Sequence, residues 1–184
     1  MGLKSAKKTD EEIARLVQSG NIDLFGELIE RYEAKMIRYG RKFISGFQDI
    51  EDVVQDAFIK AYQNIQSFDV KRKFSSWLYR IAHNEFVNAL KKQKKKPLSL
   101  FELDIIFPYS SAKEIDQKID DQKILKNVDK YLNKLSFKYK EPFILYFSEG
   151  LSYKEISDIL RIPISTVGIR LKRAKEKIKK NLHE

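Results

Sequence analysis

The sequence predicts an all-α protein: two small helical domains joined by an extended linker. Three observations carry this. Glycine and proline are scarce, 7 and 4 of 184 residues, and stretches alternating apolar with polar residues are few. Apolar residues instead recur at three- and four-residue spacing through both ends of the chain. Between them, PLSLFELDIIFPYSSAKEIDQKIDD carries prolines, a serine pair and scattered carboxylates without a sustained helical period, and reads as linker. The boundaries follow at 1–96, 97–121 and 122–184.

Each element has its own signal. Thr9 and Glu12 are spaced as a capping box for a short helix over DEEIARLVQSG, which Gly20 ends. A second helix is predicted over 23–45 from the spacing of Leu24, Leu28, Ile29, Tyr32, Met36 and Tyr39, with Gly46 as the break. The third, over 49–65, has the cleanest apolar face: Ile50, Val53, Val54, Ala57, Phe58, Ala61 and Tyr62. The loop SFDVKRK leads to a fourth helix that starts near Ser75 and fades into KKQKKK before Pro97. Beyond the linker, the helical period returns in KILKNVDKYLNKL and EPFILYFSEG. In LSYKEISDILRI, Leu151 and Ser152 precede a helix that turns Ile156, Ile159 and Leu160 inward. Pro163 forbids its continuation, and Ser165 is placed to cap a last helix that buries Val167, Leu171, Ala174 and Ile178.

Composition narrows the chemistry. With no cysteine there is no disulfide, thiolate metal site or cysteine nucleophile, and a reducing cytoplasm fits. No apolar run reaches the length of a membrane span, so direct membrane insertion is not expected. The N-terminus lacks the apolar core of a secretory signal, and Ala6 stands where myristoylation needs Ser or Thr. A formal charge of +10 points to a polyanionic partner, most simply nucleic acid. His83 and His183 are the only histidines and lie far apart in sequence, so His83 is not expected to be a metal ligand, and no metal or cofactor is expected.

Helix, short turn and basic helix is the order that lets the second helix enter a major groove with its N-terminal side chains at base edges. Ser165, Thr166, Gly168 and Ile169, with Lys172 and Arg173 one turn on, are the candidates for base readout. Arg170 and Lys175 join the same DNA-binding set, lysines further along being suited to phosphate. Lys179 and Lys180 read as a solvated helix end favoured by the dipole.

Two further faces stand out. Asp49, Asp52, Gln55 and Asp56 lie away from the apolar seam of the third helix, forming an acidic strip suited to a basic partner helix. Carboxylates so spaced can hold Mg²⁺, but no further acidic or histidine cluster completes a site here. In the fourth helix Trp77, Leu78, Ile81 and Ala82 read as core. The other face, Ser76, Arg80, His83, Asn84, Val87, Asn88 and Lys91, offers hydrogen bonds and positive charge to a strand.

These motifs resemble one family. EPFILYFSEGLSYKEISDILRIPISTVGIRLKRAKEKI resembles the promoter −35-binding region 4 of the extracytoplasmic-function (ECF, group IV) sigma factors of bacterial RNA polymerase. Arg161 replaces the family's usual helix-ending glycine, which predicts a slightly different turn, and Gly168-Ile169 replaces a polar Lys/Arg-Ser pair. DIEDVVQDAFIKAYQNI resembles region 2.2, which implies docking of Asp49, Asp52, Gln55 and Asp56 on the clamp coiled coil of the polymerase's largest subunit. KFSSWLYRIAHNEFVNALKKQKKK resembles regions 2.3–2.4, which open the −10 element. The resemblance implies that the preceding loop, with Phe68, Lys71, Arg72 and Lys73, supplies a pocket for unstacked bases of the non-template strand, Phe74 being either part of it or a core anchor. It also implies that the acidic linker threads toward the polymerase cleft, that an anti-sigma factor holds the protein inactive, and that the chain catalyses nothing itself. The alternative is a stand-alone helix-turn-helix regulator, which would bind a palindrome as a dimer; the two halves of this chain are unlike and no dimerisation seam is evident.

Overall fold

A computed structural model describes residues 8–44, 47–93, 131–132 and 134–182. The chain divides into two compact units, Met1–Pro97 and Leu98–Glu184. Helices and short turns make up the described residues of both, with no strand among them. The linker predicted over 97–121 lies outside the described residues, as do Gly46 and most of KILKNVDKYLNKL.

The first unit runs α1 (Asp10–Gln18), a 3-10 turn (Ile22–Leu24), α2 (Phe25–Gly40), α3 (Phe47–Gln63), a second 3-10 turn (Ile65–Ser67) and α4 (Phe74–Gln93). The capping box is present. Thr9 donates its N–H to Glu12 Oε2 at 2.7 Å, and Glu12 returns its own to Thr9 Oγ1 at 3.2 Å. These bonds hold the Glu12 carboxyl below its ordinary range. After α1, Gly20 takes a φ of +107°, a region that side chains other than glycine rarely enter.

The second helix is shorter than its periodicity predicts, and the reason is a close approach. A Cβ on Gly40 would lie 2.6 Å from the Phe86 ring and 3.0 Å from Ile50. The absent side chain lets the end of α2 sit against α3 and α4, and the chain then turns, with Ile44 N–H bonded to Gly40 O at 3.0 Å. Phe25, outside the predicted apolar set, is buried, whereas Leu24 and Ile29 are half-buried. Tyr62 is 42% exposed and meets Phe25 edge-on at 5.3 Å. Along α4, Phe74, Leu78, Ala82 and Phe86 recur every fourth residue and are all buried, with Tyr79 beside them. Each large side chain so buried contributes about 1.5–3 kcal/mol. Tyr39 gathers Phe43, Tyr79 and Phe86 edge-on at 5.1–5.5 Å.

The second unit contains α5 (Phe137–Phe147), α6 (Tyr153–Leu160) and α7 (Ile164–Leu182). Phe143, Ile144 and Leu145 of α5 pack with Ile156 and Ile159 of α6 and Val167, Leu171, Ala174 and Ile178 of α7. All four inward positions predicted for α7 are buried; in α6, Leu160 is half-buried rather than buried. Ser152 and Glu155 form a second capping box at the start of α6. Ser165 is not the cap of α7. The helix begins one residue earlier, with Pro163 O accepting from Val167 N–H at 3.1 Å, so Ser165 lies exposed inside the first turn.

Candidate nucleic-acid interface

The turn between α6 and α7 sets how the basic helix is presented. Arg161 closes α6 at φ 53°, ψ 45°, the left-handed conformation that a helix-ending glycine supplies without strain. The predicted change of turn is therefore corrected: the arginine adopts the glycine geometry instead of reshaping it. Ser157 locks the corner twice, its carbonyl accepting Ile162 N–H at 3.3 Å and its hydroxyl donating to Ile162 O at 2.6 Å.

The α7 candidates divide by direction. Ser165 and Lys172 are exposed, and Thr166, Gly168, Ile169 and Arg170 are half-exposed. Tyr153 of α6 lies 3.6 Å from where a Gly168 Cβ would stand, so a small side chain fits there. Arg173 and Lys175 turn toward α5 instead. Burial alone would raise the Tyr139 phenol, but the hydrogen bond from Arg173 and the charges of Lys138, Arg173 and Lys177 outweigh it and hold the phenol below its ordinary value. Lys175 Nζ lies 5.0 Å from the centre of the Phe147 ring. Both cations thus have partners within their own unit.

In the first unit, Asp49, Asp52, Gln55 and Asp56 are exposed along α3, opposite Val54, Ala57 and Phe58. Ile59, 53% exposed, extends that strip with an apolar side chain.

The segment before α4 departs most from expectation. Phe68 is 4% exposed and packs on Phe74 and Trp77 at 5.5 and 5.1 Å. It is a core residue, not a free face for a base, and Phe74 is the core anchor beneath it, fully buried. Ser76 turns its hydroxyl inward, and this Oγ is a buried atom without a hydrogen-bond partner. Lys71, Arg72 and Lys73 are exposed, with Asp69 accepting Lys71 N–H at 3.0 Å and lying 4.0 Å from Arg72. On α4 itself Asn84, Asn88 and Lys91 are exposed, and Arg80 and His83 are half-exposed.

Trp77 and Ile81, read from sequence as core, are only half-buried and line a shallow cleft of about 250 Å³ with Lys60, Asn64, Ser67, Asn84 and Glu85. Across it, Lys60 Nζ meets Glu85 Oε2 at 2.6 Å. The α3 side of this cleft carries no sequence signal, because Lys60 and Glu85 are brought together only by the packing of α3 on α4. Among the described residues, no cluster of His, Cys, Asp or Glu could hold a metal ion, and no helix is long and apolar enough to cross a membrane.

The two units coincide with two recognised families. Residues 28–96 match Sigma-70 region 2, and residues 125–178 match Sigma-70, region 4. The chain is 33% identical over 183 residues to the ECF RNA polymerase sigma factor SigW of Bacillus subtilis (strain 168), covering 91% of this chain and 94% of that one. It is 34% identical over 182 residues to the ECF RNA polymerase sigma-E factor of Escherichia coli (strain K12), covering 95% and 94%. The fold is similar to CnrH, solved in complex with the cytosolic domain of CnrY, with a TM-score of 0.71 at 26% identity over 95% of this chain and 97% of that one. It is also similar to the sigma factor RpoE of Bartonella quintana, solved with the anti-sigma factor NepR, with a TM-score of 0.64 at 27% identity over 86% and 96%. A helix-turn-helix unit and a helical unit with an acidic outer strip, matched to relatives over nearly their whole length, place this chain among the ECF sigma factors of RNA polymerase.

Proposed function

We propose that this sigma factor grips core RNA polymerase through Asp49, Asp52, Gln55 and Asp56 and reads its promoter with two separate basic faces. The observation that carries the reading is the division of charge: the outer strip of α3 is acidic, while α4 with its leading segment and the outer face of α7 are basic. Ser165, Thr166, Ile169 and Lys172 meet base edges of the −35 duplex. Lys71, Arg72, Lys73, Asn84, Asn88 and Lys91 hold the −10 non-template strand once it opens. Nucleotidyl transfer belongs to the polymerase, and the chain contributes recognition and strand capture in the cytoplasm.

CnrH and RpoE were each solved with a partner protein, NepR being an anti-sigma factor. By the same logic this chain has an anti-sigma partner that competes for its docking faces. The test is run-off transcription with core polymerase on a genomic library. Wild-type protein yields defined start sites, and D52K/D56K abolishes both core binding and initiation with an unchanged circular-dichroism spectrum. Unaltered core affinity in that variant rejects the docking strip.

A further inference from the structure

The outward face of α7 carries one residue that the packing of its own unit does not explain. Ile169 stands two positions from both Val167 and Leu171, and at about 100° per residue that puts it opposite the buried stripe of the helix. It is half-exposed there, between Ser165 one turn before and Lys172 one turn after, both exposed. Glu176, two turns on along the same line, is exposed too, and its charge repels phosphate, so the base-facing part of α7 ends before it. Gly168 precedes Ile169. Among the described residues outside its own helix, a Cβ there would meet Tyr153 alone, at an ordinary contact distance of 3.6 Å. Nothing in that packing calls for glycine, which weakens a helix interior. A bare backbone beside an outward isoleucine suits close approach to a partner on this side.

The chemistry of the side chain limits what it can read. Isoleucine neither donates nor accepts a hydrogen bond, so a polar base edge pressed against it loses its water without gaining a partner. In the major groove the base pairs present donors, acceptors and one apolar group, the C5-methyl of thymine. Cytosine carries only hydrogen at that carbon, and the purines present N7 beside O6 or N6. Against the thymine methyl, burial of Ile169 is favourable on both sides.

We propose that Ile169 reads the methyl group of one thymine in the −35 duplex. The proposal rests on the placement of α7 in the −35 groove argued above. It adds the base at one position and the group that identifies it, and it accounts for an apolar residue where the family carries a polar one.

Replacing thymine by deoxyuridine removes that methyl and leaves every hydrogen-bonding group of the base in place. Run-off transcription supplies the −35 duplex that the holoenzyme uses, and each thymine of either strand is then replaced singly by deoxyuridine. Competition binding to the holoenzyme is expected to weaken about fourfold at one replacement, the loss of a single buried methyl. In Ile169→Ala that replacement makes no difference, while base-pair changes elsewhere in the element still weaken binding. Matching melting curves of variant and wild type exclude a folding effect. If no deoxyuridine duplex binds more weakly although base-pair changes do, the methyl reading is overturned and −35 recognition stands. A deoxyuridine effect that survives in Ile169→Ala also overturns it, because another side chain then holds the methyl. Equal binding of all duplexes, base-pair changes included, overturns the placement of α7 and the proposal with it.

Discussion

Glu11 accepts the backbone N–H of Phe74 at 3.0 Å, so that a side chain of α1 caps the first turn of α4 from 63 residues away. Gln18 reaches the same segment, donating Nε2 to the carbonyls of Ile65 and Phe68 at 2.7 and 2.8 Å, and Gln66 returns a bond to Gln18 O at 3.1 Å. The region 2 match begins at residue 28, yet α1, which precedes it, holds both ends of the loop that leads into α4.

These bonds give the first prediction. Gln18→Ala leaves two carbonyls without a protein donor and Glu11→Ala uncaps α4; each costs about 1–2 kcal/mol. The loss is read from the urea midpoint of Trp77 fluorescence, and amide exchange at Phe74 accelerates more in Glu11→Ala than at positions deeper in α4.

Gly40 predicts a steric cost. A methyl group there would meet the Phe86 ring at 2.6 Å, well inside contact distance, and Ile50 at 3.0 Å on the other side. Phe86 is packed edge-on against Tyr39 and cannot swing aside freely. Gly40→Ala is expected to destabilise the first unit by about 1–3 kcal/mol despite the better helix propensity of alanine. Thermal unfolding followed by Trp77 fluorescence measures it.

Arg161 predicts the opposite sign. An L-residue in the left-handed region costs about 1–2 kcal/mol, and glycine recovers that at the expense of greater unfolded-chain entropy. Arg161→Gly is therefore expected to stabilise the second unit by about 0.5–1 kcal/mol. Urea unfolding followed by far-ultraviolet circular dichroism detects the shift, with the Trp77 transition of the first unit unmoved.

Tyr139 predicts a pH dependence. Its phenol ionises more readily folded than unfolded, because Arg173, Lys138 and Lys177 outweigh burial. A group with a lowered folded value adds stability that is fully present above its unfolded value and lost as pH falls through the folded one. The stability of wild type relative to Tyr139→Phe should thus grow as pH rises from below the folded value toward the phenol's ordinary value near 10. Arg173→Ala moves the phenol back upward and flattens that dependence, which difference ultraviolet titration against Tyr139→Phe resolves.

What was legible in the sequence depended on range. The capping box at Thr9 is local, and the inward stripe of α7 is a simple period, so residue types within a few positions specify them. The length of α2 was not legible, because Gly40 matters through Phe86, which approaches from another helix. Phe68 misled for the same reason: in a basic loop it looks available to a base, but it is buried against Phe74 and Trp77. The cleft was only half visible. Asn84 lies in a recognisable motif, whereas Lys60 acquires its place from Glu85 across the α3–α4 contact.

Lys172 and Arg173 are adjacent, and sequence gives no ground to separate them; their directions do. Lys172 points to solvent on the outer face of α7 with Ser165, whereas Arg173 bonds the Tyr139 phenol of α5. A side chain that reads a base contributes about 1–3 kcal/mol of discrimination against the wrong one. Lys172→Ala is therefore expected to weaken binding of the holoenzyme to its −35 duplex by that amount and to relax the preference at one position, with unchanged thermal stability. Arg173→Ala should instead lower the melting temperature of the second unit and weaken cognate and mutated duplexes alike, because what it loses is the seating of α7 on α5. Competition binding with single-base duplex variants separates the two. Equal loss of sequence preference in both variants would mean that Arg173 leaves Tyr139 to reach the groove.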